Sequence, residues 1–364
     1  MCGQYFTTLI IRRTMQFSTP TPKALGYTFP AEWAPHEATW LSYPHNEASF
    51  PGKIHTIYPA YGEFVKVLAQ GEKVYLNVND AAMEQHARQT FAQAGVDMEQ
   101  VFFCQHPTND AWCRDHGPAF VINPKAAQPK MIVNWNHNAW GGKYPYELDT
   151  QIPLHVAQYL DLPVQSPGIV MEGGAVDFNG AGTVLTTTAC LLNPNRNPTL
   201  SQAQIEQYLY EFYGVAQVLW LGEGIVGDDT DGHIDDITRF VNEDTVITVV
   251  EHNKQDENYA LLQENLAALK KMRLHHTGKQ LNIVELPMPA PVIWDDQRLP
   301  ASYANFYIAN AAVIVPTFNC PQDQVALDLL SQCFTDRPVV GIDSTEIIWG
   351  LGSFHCLSQQ EPKV

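Results

Sequence analysis

Strand-like and helix-like stretches alternate from end to end of this 364-residue chain, with no serine-, glycine- or charge-rich linker between them. That alternation confines the fold to the α/β class and favours a single domain. Lys73–Val78 reads as a strand, followed by a helix from Ala81 that Gly95 can cap, then a strand at Val101–Phe103. Met171–Phe178 and Thr183–Thr187 flank Asn179-Gly180-Ala181-Gly182, a glycine-rich hairpin signal. Ser201 suits the N-cap of a helix running to Tyr213, with Gly214 after it and a strand at Val218–Leu221. Ile234–Val241 and Thr245–Val250 read as a strand pair ahead of a helix around Glu257–Met272. Ala312–Val315, a helix near Asp323–Cys333 and Val339–Ile342 repeat the theme. The recurring unit is two strands, a helix and a strand, without a literal sequence repeat. The expected organisation is an N-terminal extension, 1–29, and one catalytic domain, 30–364.

The composition, 45% hydrophobic and 16% charged, is that of a soluble globular protein. No apolar run approaches the roughly 20 residues of a membrane helix. Phe6 to Ile11 is short and its basic pair, Arg12 and Arg13, follows it, the reverse of a secretory signal. Met15 offers an alternative start. Seven scattered cysteines without CxxC spacing suggest neither a disulfide framework nor a zinc knuckle, and fit a reducing cytoplasm. A formal charge of −18 argues against nucleic acid and would draw small cations.

Four stretches carry candidate chemistry. Gly227-Asp228-Asp229-Thr230-Asp231-Gly232-His233-Ile234-Asp235-Asp236 gathers five carboxylates and a histidine, an arrangement costly to assemble unless it meets a cation or titrates abnormally. In an extended segment His233 and Asp235 would share a face. A helix–loop–helix calcium pattern fails: counting from Asp228, the sixth place is His233 and the twelfth is Arg239. A transition-metal hydrolase stays open, and a solvated acidic loop is the bland reading. In Trp112-Cys113-Arg114-Asp115-His116-Gly117-Pro118, Asp115 precedes a strand, Ala119–Ile122, where an ordinary Asx turn would also suit it. A carboxylate beside an aromatic face is also what a planar guanidinium needs. Glu172, in Met171-Glu172-Gly173-Gly174-Ala175, would be expensive to bury unpaired, so it is either site or structural ion pair. Cys356, in Gly350-Leu351-Gly352-Ser353-Phe354-His355-Cys356-Leu357, suits a thiol in a tight loop, although most lone cysteines are inert core. His355 and Cys356 would point oppositely on an extended chain, which makes His233 the easier base.

Taken in order, these stretches resemble the agmatine deiminase and bacterial peptidylarginine deiminase family of guanidino-group-modifying enzymes. The resemblance runs from about Pro30 to Gln360. It includes Asn109–Asp115, Glu172-Gly173-Gly174, Thr187–Pro198, the acidic histidine block, Leu299–Asn310 and Gly352–Gln360. It implies a five-bladed, pseudo-fivefold α/β propeller of the pentein type around a substrate funnel. By position it makes Cys356 the nucleophile and His233 the general acid/base. Asp115 and Asp235 would grip the guanidinium, Glu172 would support them, and Asn305 falls where the peptidyl enzymes place a catalytic asparagine. No metal or other cofactor is implied. The family suggests an intracellular homodimer.

Free or peptidyl arginine would need a cation for its carboxylate. In Asn134–Tyr144, where the peptidyl type carries an arginine pair, only Lys143 and His137 could serve. Agmatine ends in an ammonium, which Asp228, Asp229 and Asp231 could attract while Trp112 and Trp140 line its linker. A small cationic guanidine, agmatine, is therefore the expected substrate, ahead of peptidyl or free arginine. A metal-dependent amidinohydrolase and a silent guanidine-binding relative are the rivals from other classes.

Overall fold

The computed structural model describes residues 15–364. The reading of Met1 to Arg13 lies outside the described residues. The first strand, β1 (His36–Ser42), is followed by α1 (Ile54–Leu68), β2 (Lys73–Asn77), α2 (Ala81–Ala94) and β3 (Val101–Cys104). Three-stranded units follow: β4 (Ala119–Ile122), β5 (Lys130–Val133), α3 (Ile152–Leu160) and β6 (Val164–Gln165); then β7 (Val176–Phe178), β8 (Thr183–Thr187), α4 (Gln202–Phe212) and β9 (Gln217–Leu221). The next are β10 (Thr238–Phe240), β11 (Thr245–Val250), α5 (Asn258–Leu269) and β12 (Asn282–Pro287), and β13 (Tyr307–Ile308), β14 (Val313–Thr317), α6 (Gln322–Cys333) and β15 (Val339–Asp343).

In each of these units the first strand pairs antiparallel with the second, and the second pairs parallel with the third across a helical crossover. The last strand, β16 (Ser358–Pro362), completes the same pattern in space: it pairs antiparallel with β1, which pairs parallel with β2. The two ends of the chain therefore share one sheet, ordered β16-β1-β2-β3. Buried β-branched runs such as Thr245–Val250 suit strands covered on both faces. The helices begin and end where local chemistry allows: Asp80 accepts from the Met83 amide at the start of α2, Gly95 ends it in the left-handed region at φ 73°, and Ser201 and Gln204 form a capping box on α4.

Two expected strands are shorter than their apolar runs. Residues 171–175 do not extend β7; Gly173–Ala175 is a 3₁₀ turn closed by the Ala175 amide on the Glu172 carbonyl. Likewise Ile234–Asp236 is a 3₁₀ turn, and only Thr238–Phe240 pairs as a strand. In both places a buried carboxylate finds its partner outside the ladder: Glu172 on Arg196 of its own unit, Asp235 on His355 of another. Ahead of residue 30 the chain is packed: Phe17 meets Tyr208 and Phe212 edge-on, and Thr28 bridges to Ile122.

Candidate active site

Asp115, Glu172, Asp235, Asn305 and Cys356 each lie two to four residues ahead of the first strand of their own unit. The same turn position, repeated in five units, delivers five candidate side chains to one place. All five are buried, and His233 joins them from the turn before Asp235.

Asp115 sits on a short helical turn, Cys113–His116, rather than in an Asx turn. One carboxylate oxygen accepts from the Gly174 amide and the other from the Trp140 indole, both at 2.9 Å. Each oxygen keeps a free lone pair. Trp140 reaches it from a left-handed backbone run in which Ala139 and Trp140 have φ of 48° and 55°, a strained conformation held by that bond.

His233 Nδ1 lies 3.7 Å from Asp115 and 4.0 Å from Asp235, and among the described residues the ring meets only the Cys190 thiol within hydrogen-bonding reach, without ordinary hydrogen-bond geometry at either nitrogen. Burial disfavours its charged form, but Asp115, Cys190 and Asp235 outweigh burial and hold its pKa well above the ordinary 6.5. The shared face expected for His233 and Asp235 is thus realised through a 3₁₀ turn, not a strand. Asp228 organises that turn, accepting from the amides of Thr230, Gly232 and His233. Glu172 forms a buried ion pair beside this cluster: one oxygen accepts from Arg196 Nε at 2.5 Å and the other is unpartnered.

The Cys356 sulfur accepts from Asn305 Nδ2 at 2.9 Å and lies 3.6 Å from Asp235. Burial first, then Asp235, Asp236 and Asp115, push the thiol well above its ordinary 9.0. Asn305 also donates to Asp236, and its carbonyl oxygen takes the amides of His355 and Cys356. Asn305 therefore holds the Cys356 sulfur rather than lining the cavity. Gly352 lets the loop lie on Trp112, since a Cβ there would meet that ring at 2.7 Å.

Sequence reasoning missed the support behind Asp235. His355 bonds Asp235 at 2.7 Å through Nδ1 and Glu32 at 2.8 Å through Nε2. Glu32 also takes Arg239 at 2.8 Å and the Ile308 amide at 2.7 Å. Burial raises the Glu32 pKa, but Arg239, His355 and Arg114 reverse this and hold it well below 4.5. Glu32 precedes Arg239 and His355, its hydrogen-bonded side-chain partners, by 207 and 323 residues and shares no motif with them, so nothing local announces it. Glu32→Gln breaks a buried charge network and is expected to cost about 3 kcal/mol in denaturant unfolding at neutral pH. A depressed folded pKa stabilises above the unfolded value and is lost as pH falls through the folded one. The gap between variant and parent should therefore close progressively below pH 4.5.

A cavity of about 170 Å³ opens onto Asp115 and Cys356. Trp112, Trp140, Tyr144, Trp294 and Trp349 line it, with Asp110 and Asp229, and among the described residues no lysine, arginine or histidine is in its lining. His233, Asp235 and Glu172 lie buried behind this wall. Asp229 faces the cavity and accepts from Tyr144 at 2.7 Å, with Lys143 at 3.3 Å. Asp231 is elsewhere: it pairs with Arg196 at 2.7 Å and Asn195 at 2.9 Å, outside the cavity lining. Of the two expected cations, Lys143 is spent on Asp229 and Asp231. Burial pulls the His137 pKa down to about 4 and leaves it neutral.

Residues 28–362 match the Porphyromonas-type peptidyl-arginine deiminase family. A putative agmatine deiminase of Legionella pneumophila (strain Philadelphia 1) is 37% identical over 345 residues, covering 94% of this chain and 97% of its own. The agmatine deiminase of Ectopseudomonas mendocina is 34% identical, covering 94% and 98%. Among solved structures, the agmatine deiminase of Enterococcus faecalis superposes with a TM-score of 0.88 at 30% identity, covering 96% of this chain and 99% of that one. A C. jejuni agmatine deiminase with substrate bound gives 0.84 at 33%, covering 93% and 96%. The chain belongs to the Porphyromonas-type peptidyl-arginine deiminase family.

Proposed function

We propose that this protein hydrolyses the guanidinium of agmatine to N-carbamoylputrescine and ammonia through a covalent amidino-cysteine intermediate. The observation that carries the substrate is the cavity lining: three carboxylates, Asp110, Asp115 and Asp229, and, among the described residues, no cationic side chain to receive a carboxylate. The names of the relatives point the same way. Asp110 takes only neutral donors, among them Asn46 and Ser49, so a substrate ammonium would supply its missing counter-charge.

In this reading Asp115 and Asp235 grip the guanidinium edges and align its carbon on Cys356. The arriving cation offsets the carboxylates that keep the thiol protonated, the thiol proton leaves to solvent, and the thiolate attacks the guanidinium carbon. His233, charged at rest, protonates the departing ammonia, then takes a proton from the water that hydrolyses the amidino-thioether. Five repeated units converging on one centre support arrangement as blades of a propeller. Unpaired Cys104, Cys113, Cys190, Cys320, Cys333 and Cys356 support a cytoplasmic setting.

The test is product release from agmatine, arginine and a peptide ending in arginine, each with and without EDTA. Ammonia from agmatine alone, unaffected by chelator, is expected. Turnover of arginine or the peptide would overturn the substrate, and urea release or chelator sensitivity would overturn the cysteine chemistry in favour of a metal-dependent amidinohydrolase.

A further inference from the structure

Cys190 is buried at the catalytic centre, and the proposed chemistry does not use it. It sits on the short helix Thr188–Leu191, beneath the acidic histidine turn. Its sulfur, a Glu172 carboxylate oxygen and a His233 ring nitrogen lie within 4.8 Å of one another, and all three residues are wholly buried. Glu172 Oε1 belongs to Arg196, whereas Oε2 has no partner and neither His233 nitrogen has a hydrogen bond of ordinary geometry. The Nδ1 edge of the ring faces Asp115 and Asp235 across Gly174, which leaves Nε2 for this cluster. Two unpartnered buried polar atoms beside a thiol form a ligand set waiting for a Lewis acid.

We propose that Glu172, Cys190 and His233 bind a soft divalent transition cation, zinc above others, and that occupancy switches the enzyme off by taking His233. Carboxylate oxygen, thiolate sulfur and imidazole nitrogen are the donors zinc uses in proteins, whereas calcium and magnesium want oxygen alone. Charge favours the exchange. The cation displaces one proton from the His233 imidazolium and one from the Cys190 thiol, both released to solvent. Two positive charges enter as two leave, so the buried centre gains no net charge to desolvate. His233 is faced by Asp115, Asp235, Asp236, His137 and Cys190, and Cys190 by Glu172, Arg196 and His233.

The inhibition rests on the deiminase reading, but metal binding does not, and the two are separated experimentally. The chelator-stripped full chain is titrated with zinc during agmatine turnover, alongside Cys190→Ala and Cys190→Ser. The metal-free turnover of each variant is measured as its own baseline, and against that baseline both should need more than about tenfold more zinc for half-inhibition. Cobalt then reports the ligands without any assay: its thiolate charge-transfer absorption should persist in Cys356→Ala and vanish in Cys190→Ala. Zinc inhibition unchanged in both Cys190 variants would overturn the proposal. So would a cobalt band that follows Cys356, which would seat the metal on Asp235, Asp236 and Cys356 instead, or the lack of any stoichiometric metal binding.

Discussion

Cys356→Ala is expected to lower kcat/KM for agmatine by at least about ten-thousand-fold while agmatine still binds, because the covalent route has no substitute nucleophile. Binding should survive: the cavity wall of Trp112, Trp140, Asp115 and Asp229 is untouched, and removing the thiol leaves no cation unpaired. Calorimetry with agmatine measures the binding and ammonia release the turnover. Residual activity above that floor would assign the chemistry to another group. The pKa direction gives an independent check on the same sulfur. Burial and the surrounding carboxylates hold the thiol protonated in the free enzyme, so its thiolate fraction should rise tenfold per pH unit through neutrality. Alkylation of Cys356 by an uncharged haloacetamide, followed by peptide mass mapping, should climb with that slope. A rate already flat at pH 7 would mean that the thiolate forms without substrate.

What could be read from the sequence divides along a physical line. Strands and helices with local periodicity, such as Thr183–Thr187 or the capped helix after Ser201, were legible because their causes lie within a few residues. The turns that deliver the chemistry were not. The runs at 171–178 and 234–241 look like strands by composition, yet their first halves bend into 3₁₀ turns because Glu172 must reach Arg196 and Asp235 must reach His355. Motif order found Cys356, His233, Asp115, Asp235 and Glu172, and the structure brings these five together. It could not separate Asp229, on the cavity, from Asp231, which Arg196 occupies, since two residues in one loop differ only in which way the turn sends them. Glu32 was beyond sequence altogether. Its partners, Arg239 and His355, come from other units, and only the meeting of β16 with β1 across one sheet makes the N-terminal entry a neighbour of the catalytic loop.

Gly174→Ala is expected to cost about 100-fold or more in kcat/KM without altering any group that does chemistry. A methyl at this position would lie 2.5 Å from His233 Nδ1, 2.9 Å from Asp115 Oδ1 and 3.1 Å from Asp235 Oδ2. Each is inside van der Waals contact, so three functional side chains must retreat together. The Gly174 amide that positions Asp115 would be displaced with them. Misplacement near 1 Å is enough for a loss of this size when the reaction depends on alignment. The backbone at Gly174 is not left-handed, so alanine adds no conformational strain there and its stability cost is that of overpacking alone, about 1–3 kcal/mol. Gly95→Ala supplies the converse. Gly95 has φ 73° with open space around it, so alanine should cost about 1 kcal/mol of stability and leave turnover alone. Measured side by side, the pair separates damage to the fold from damage to the site. Near-normal activity in Gly174→Ala would mean that His233, Asp115 and Asp235 do not need their observed spacing, and the catalytic assignment would fall with it.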